Sequence, residues 1–145
     1  MNKIKRFLYT LALFSFLFIC PAQVCANENQ TSNIKDSLII VWTSGDRDVA
    51  LKMVFMYAYN AKKNNWWNSV TLIVWGPSSK LLSVDSELQK KIKEMQEKGV
   101  IVEACKACSD QYGVTSILQS LGVDVKYMGV PLTDYIKKGH PILTF

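Results

Sequence analysis

The chain has 145 residues, of which 49% are hydrophobic and 20% charged. That composition is ordinary for one globular domain and excludes collagen-like, coiled-coil and intrinsically disordered chains. A formal charge of +5 would suit nucleic acid or an anionic membrane surface, but three of the basic residues, Lys3, Lys5 and Arg6, sit at the very start.

Those three residues precede an uncharged apolar run, Phe7 to Cys20, and then the small-residue stretch Val24-Cys25-Ala26. Basic, then apolar, then small-x-small is the order of a secretory signal peptide, with the cut after Ala26. The run is shorter than the roughly 20 residues a membrane span needs. Phe18-Ile19 and Gln23-Val24, the residues ahead of Cys20 and Cys25, do not suit lipid attachment. We therefore expect residues 1–26 to be a signal peptide and the mature chain to be periplasmic or otherwise extracytoplasmic, with no stable membrane anchor after cleavage. Its removal takes the basic residues from 17 to 14 against 12 acidic ones, a net charge of +2 over the remaining 119 residues. Nucleic acid is then not an expected partner.

Residues 27–36 (NENQTSNIKD) are polar and aperiodic and read as a flexible leader. Ser37 to Thr43 (SLIIVWT) reads as a strand covered on both faces, ending at Ser44-Gly45-Asp46, a turn rich in helix N-cap residues. From Arg47, apolar residues Ala50, Met53, Val54, Tyr57 and Ala61 recur at helical spacing until Lys62-Lys63-Asn64-Asn65. Ser69 to Trp75 is a second strand, stopped by Gly76-Pro77. Leu81, Val84, Leu88, Ile92 and Met95 mark a second helix that ends at Lys98-Gly99. Val100 to Ala104 is a third strand, and Val114 to Leu121 a short helix ended by Gly122. Val123 to Met128 is a fourth strand closed by Gly129-Val130-Pro131; Leu132 to Lys138 is a short helix stopped by Gly139, and Ile142 to Phe145 a last strand.

Five strands alternating with four helices predict βαβ crossovers. The expected fold over residues 37–145 is α/β: a three-layer α/β/α sandwich with a mostly parallel five-stranded sheet, flavodoxin-like in appearance. Reactive groups in such sheets collect at the carboxyl ends of the strands, and Cys105-Lys106-Ala107-Cys108 follows the third strand there.

Cys105 and Cys108 are the two of the four cysteines that lie beyond the cleavage site. Two intervening residues let their sulfurs meet. With Cys108 opening a helix, backbone N–H groups and the helix dipole stabilise a thiolate, and Lys106 adds a positive neighbour. Attack on a disulfide or on a sulfur donor requires such a thiolate. A structural disulfide is the alternative use, although so short a loop restrains the unfolded chain by only about 2 kcal/mol. Metal binding is the third, and it needs more ligands than this pair and His140, the single histidine, supply within one chain. No cofactor and no metal are expected. Ser44-Gly45 and Gly76-Pro77-Ser78 fall on the same carboxyl edge, either lining a pocket or serving as turns and caps; neither is a phosphate-binding glycine fingerprint. Phe55, Tyr57, Tyr59, Trp66 and Trp67 suit an oligomer surface or core beneath the first crossover.

In thioredoxin the CxxC follows an early strand and opens a long helix, so its position here points to another fold. The stretch Val102 to Val114 (VEACKACSDQYGV), with Leu121-Gly122-Val123, Tyr127-Met128-Gly129, Leu132-Thr133-Asp134-Tyr135 and Leu143-Thr144-Phe145, resembles the DsrE/DsrF-like family from Ser37 onward. Its specific element is a cysteine at the end of the third strand with a glycine eight residues later, here Cys105 and Gly113. The resemblance implies a compact α/β/α sandwich that forms oligomers, with Cys105 as the residue that carries sulfur as a persulfide in sulfur-relay members. Cys108 matches the second cysteine of a CxxC subset, where it resolves an attack on Cys105. The implied partners are a sulfur donor or acceptor, or a thiol–disulfide partner protein, together with further copies of the chain; the implied activity is that of a carrier more than of a turnover enzyme. Export separates such a protein from the cytoplasmic relays and exposes it to oxidants. The competing reading is a small-ligand or protein-interaction module with a permanent Cys105–Cys108 bridge, or a metal site across an oligomer interface. The sulfur reading requires the Cys105 sulfur to be reachable at the sheet rim.

Overall fold

The computed structural model describes residues 34–145; the expected signal peptide, its cleavage site and most of the leader lie outside the described residues. Strands β1 (Ser37–Trp42), β2 (Ser69–Val74), β3 (Ile101–Cys105), β4 (Asp124–Lys126) and β5 (Ile142–Thr144) form one sheet in the order β4-β3-β2-β1-β5. All its pairings are parallel, so the expected mostly parallel sheet is parallel throughout. The β1 and β2 runs are buried from their second residue onward, as continuous apolar strands in a covered sheet should be.

The chain steps from β1 to β4 through immediate neighbours and then crosses back over the sheet to place β5 beside β1. Parallel crossovers are right-handed, which puts the helices of the first three connections on one face and the last helix on the other. Side chains alternate along each strand, and the core divides accordingly. Leu38, Ile40, Trp42, Val70, Leu72, Val74, Val102 and Ala104 enter the large core. Ile39, Val41, Ile73 and Cys105 enter a much smaller one.

On the first face, α1 is a continuous helix in three parts: Arg47–Val49, a π-helical stretch Ala50–Phe55, and Met56–Lys63. Asp46 caps it, its carboxylate accepting from the N–H groups of Asp48 and Val49 at 2.7 and 3.2 Å. Phe55 reaches Trp42 edge-on, with ring centroids 5.1 Å apart. The single second helix expected from its apolar spacing is two, α2 (Pro77–Val84) and α3 (Ser86–Glu97). Asp85 interrupts them in an extended conformation, accepting from the N–H groups of Glu87 and Leu88 at 3.0 Å each. Its preference for capping over helix interiors wins against the periodicity. Two short helices, α4 (Lys106–Gln111) and α5 (Thr115–Ser120), complete this face.

The second face carries one helix, α6 (Gly129–Lys137), none of whose residues is buried. It starts earlier than the expected Leu132, because Pro131 falls in its first turn, where a missing N–H costs nothing. Asp36, expected in the leader, is already tied to the sheet: its backbone carbonyl accepts from Ser69 N–H at 3.2 Å. Among the described residues no helix is long and apolar enough to cross a membrane.

Candidate functional site

Cys105 is the last residue of β3 and also the N-cap position of α4, with extended backbone angles. The helix therefore opens at Lys106, and Cys108 sits inside its first turn instead of at its start. Strand alternation turns the Cys105 side chain to the second face, against Ile39, Val41, Ile73 and Met128, where it is 4% exposed. Cys108 is partly buried, and both cysteines are free thiols. Cys108 packs against the cluster that holds Cys105, so the two thiols are neighbours. The pair thus meets solvent through Cys108, and Cys105 lies behind it. The expected reachable sulfur at the rim is not found, because strand alternation turns that side chain into the second core.

Burial pushes the Cys108 thiol up, and the neighbouring Cys105 sulfur pushes it further, against the opposing effect of the Gly76 backbone hydrogen bond. Desolvation of a thiolate outweighs the helix start that the sequence reading invoked. Gly76 turns the chain at φ +70° and ψ −133°, a region that only glycine enters without strain, and Pro77 begins α2 as its first residue. The buried Ser78 hydroxyl accepts from Trp75 N–H at 3.0 Å and donates to the Trp42 carbonyl at 2.6 Å. It thereby ties together the ends of β1 and β2.

Ser44 and Gly45 act here as turn and packing residues. The Ser44 hydroxyl accepts from Asp46 N–H at 3.0 Å, and a Cβ on Gly45 would lie 3.3 Å from the Pro77 Cβ. Beside them the strand order reverses between β1 and β5, the place where open α/β sheets usually hold ligands. There the Phe145 backbone oxygen accepts from the N–H groups of Thr43 and Ser44 at 2.7 and 3.2 Å and from the Thr43 hydroxyl at 2.6 Å.

Lys106 does not face the sulfurs. Its ammonium bonds Asp110 at 2.5 Å and lies 5.5 Å from the Tyr127 ring centroid, and the Asp110 bond holds it above the usual lysine range. Gly113 ends α4 at φ +68°, with open space where its Cβ would be. Its contribution is the left-handed turn.

A buried acid escaped the sequence reading. Glu103 is 4% exposed and, two residues before Cys105 in one strand, shares its face. Its carboxylate accepts from the Lys126 ammonium at 2.7 Å and from the Tyr135 hydroxyl at 3.3 and 3.4 Å. Partial burial pulls Lys126 down, but its bonds to Asp124 and Glu103 hold it well above the usual lysine range. Burial, and then the Glu103 charge, push Tyr135 up. The signal in the sequence is one acid inside the apolar run Val100 to Cys105, which a covered strand tolerates only when the charge is paired.

Residues 35–145 match the sequence profile of the DsrE/DsrF-like family. The chain belongs to that family. Two solved structures show the same DsrE-like fold. A conserved protein of unknown function from Bacteroides thetaiotaomicron, BT1422, is 44% identical over 76% of this chain and 95% of its own, with a TM-score of 0.74. The ychN protein from E. coli is 18% identical over 75% of this chain and 98% of its own, with a TM-score of 0.63. No protein of curated function matches.

Elsewhere in this DsrE/DsrF-like chain, Phe55 is buried, Tyr57, Tyr59 and Trp67 pack against the large core, and only Trp66 of the aromatic stretch is strongly exposed. An open groove of about 360 Å³ lies on the first face, between Phe55, Met56 and Tyr59 of α1 and Lys91, Glu94 and Met95 of α3. His140 approaches the Ser37 carbonyl at 3.4 Å and meets Tyr135 edge-on. Among the described residues no three His, Cys, Asp or Glu side chains cluster as a metal site.

Proposed function

We propose that this chain is an exported sulfur-handling or thiol-redox protein whose reacting centre is the Cys105–Cys108 pair. The observation that carries the reading is two free, neighbouring thiols at the carboxyl end of β3, Cys108 packed against the cluster that buries Cys105. Export rests on the residues ahead of the domain, and oligomer formation on family resemblance. Cys105 attacks the outer sulfur of a persulfide donor, R–S–SH; a Cys105 persulfide forms and the donor leaves as the thiol R–SH. Cys108 then attacks the inner sulfur. A Cys105–Cys108 disulfide forms, and hydrosulfide leaves, taking up the Cys108 proton as hydrogen sulfide. Burial and the neighbouring Cys105 push the Cys108 thiol up, which suits its acting second.

Exposure of the reduced protein to polysulfide, followed by alkylation and peptide mass spectrometry, tests the reading. One added sulfur on the Cys105 peptide, trapped in a Cys108→Ser variant and converted to a disulfide in the unaltered chain, is expected. Equal, sluggish reactivity of both thiols with no persulfide would count against it. The burial of Cys105 favours a second reading, an interaction module held by a permanent bridge; a reduction potential below about −300 mV would mark that bridge as structural.

A further inference from the structure

We infer that α6 is a lid over Cys105, and that Tyr135 and Glu103 form its latch, positioning residues that set how often the buried sulfur is reached. The inference rests on the proposed role of Cys105 for its biological meaning, though not for its test.

Cys105 is 4% exposed, so a reagent or sulfur donor reaches it only when something moves. What covers its face is Met128, with Leu132 and Tyr135 of α6. The first face of the sheet is held by several helices that contribute buried residues to a large core. The second face has α6 alone, and α6 contributes none. Val130 and Ile136 of that helix are 72% and 59% exposed. A segment with so few buried contacts opens at lower free energy than the body of the domain.

Among the described residues, the polar side-chain tie from α6 to the sheet is the Tyr135 hydroxyl on Glu103, at 3.3 and 3.4 Å, longer than an ordinary O–H···O bond and so a weak one. Glu103 stands two residues from Cys105, about 7 Å along the strand, so this bond lies beside the sulfur it screens. Lys126 bonds the same carboxylate from β4 at 2.7 Å. When α6 lifts, Glu103 keeps that partner and Tyr135 finds water, so opening strands no buried charge. Gly129 begins the helix and Gly139, at φ +78°, follows it, leaving permissive backbone at both ends of the moving piece.

The test uses the full chain carrying Cys108→Ser, with iodoacetamide as the probe and the Cys105 peptide followed by mass spectrometry across a pH series, which separates access from ionisation. Adding Tyr135→Phe should raise the Cys105 rate about three- to tenfold, with faster amide exchange across residues 129–138 and little change in β1 and β2. Glu103→Gln, which keeps an acceptor for Tyr135, should give a smaller rise. An unchanged rate in Tyr135→Phe, a larger effect in Glu103→Gln, or a rate that rises only in step with global unfolding in urea would each overturn the lid. Iodoacetamide needs no sulfane sulfur, so a chain that forms no persulfide would sink the proposed function and leave the lid standing.

Discussion

The thiol of Cys108, inside α4, lies beside the backbone of Gly76, two residues past the end of β2. Their approach brings the rims of two neighbouring strands together at the thiol pair. It also sets the Cys108 thiol in a balance, with burial and Cys105 pushing its pKa up and Gly76 pulling it down.

Removing Cys105 should therefore lower the Cys108 titration. In a Cys105→Ala chain the alkylation of Cys108, followed against pH, should reach half its maximum at a lower pH than in the unaltered chain, because the neighbouring sulfur is gone while burial persists. The sign for stability follows from the same shift: the unfolded chain loses its thiol proton first, so stability present below the ordinary thiol range is lost as pH rises through it. Urea unfolding between neutral and alkaline pH should show that loss, and it should shrink in Cys108→Ser.

Asp85 divides one apolar repeat into α2 and α3 by capping the second of them. Asp85→Ala should cost about 1 kcal/mol, readable as a fall of a few degrees in Tm. The Leu88 and Glu87 backbone bonds and the Arg47 side chain hold the Asp85 carboxyl below the usual range, against modest burial. Its contribution is thus present above the unfolded carboxyl pKa and disappears as pH falls through the folded one. Asp85→Asn, which keeps a capping oxygen, should retain most of the stability at neutral pH while flattening its dependence in the acid range.

Lys126 compensates the buried Glu103 charge. Lys126→Met should destabilise the domain by about 1–3 kcal/mol, since it leaves a carboxylate covered by α6 with only a weak tyrosine donor. Combining it with Glu103→Gln should recover part of that loss. The two substitutions should be clearly non-additive in chemical denaturation; strict additivity would mean that the ion pair is too solvated to matter.

Much of the architecture was legible from local patterns. The runs Leu38 to Trp42 and Val70 to Val74 are buried strands because uninterrupted β-branched and aliphatic residues suit a sheet covered on both faces. Asp46 caps a helix, and Gly99 ends one at φ +88°, because these residues satisfy terminal backbone groups wherever they fall. The π-helical stretch at Ala50–Phe55 had no such signature, since its apolar spacing reads as ordinary helix. Asp85 was legible in principle, its capping chemistry outvoted by the apolar repeat around it.

The CxxC pair, its place at the end of a strand and the family resemblance came from the sequence alone, because each depends on residues close together in the chain. Which sulfur faces solvent did not. Alternation tells that Cys105 and Glu103 share a face, but what covers that face depends on the long return from β4 to β5, which lays α6 across it. The same crossing brings Tyr135 to Glu103 and the Phe145 oxygen to Thr43 and Ser44. Those contacts join residues far apart in the chain, and no short-range preference encodes them; only the folded path of the backbone decides whether the Cys105 thiol is open or covered.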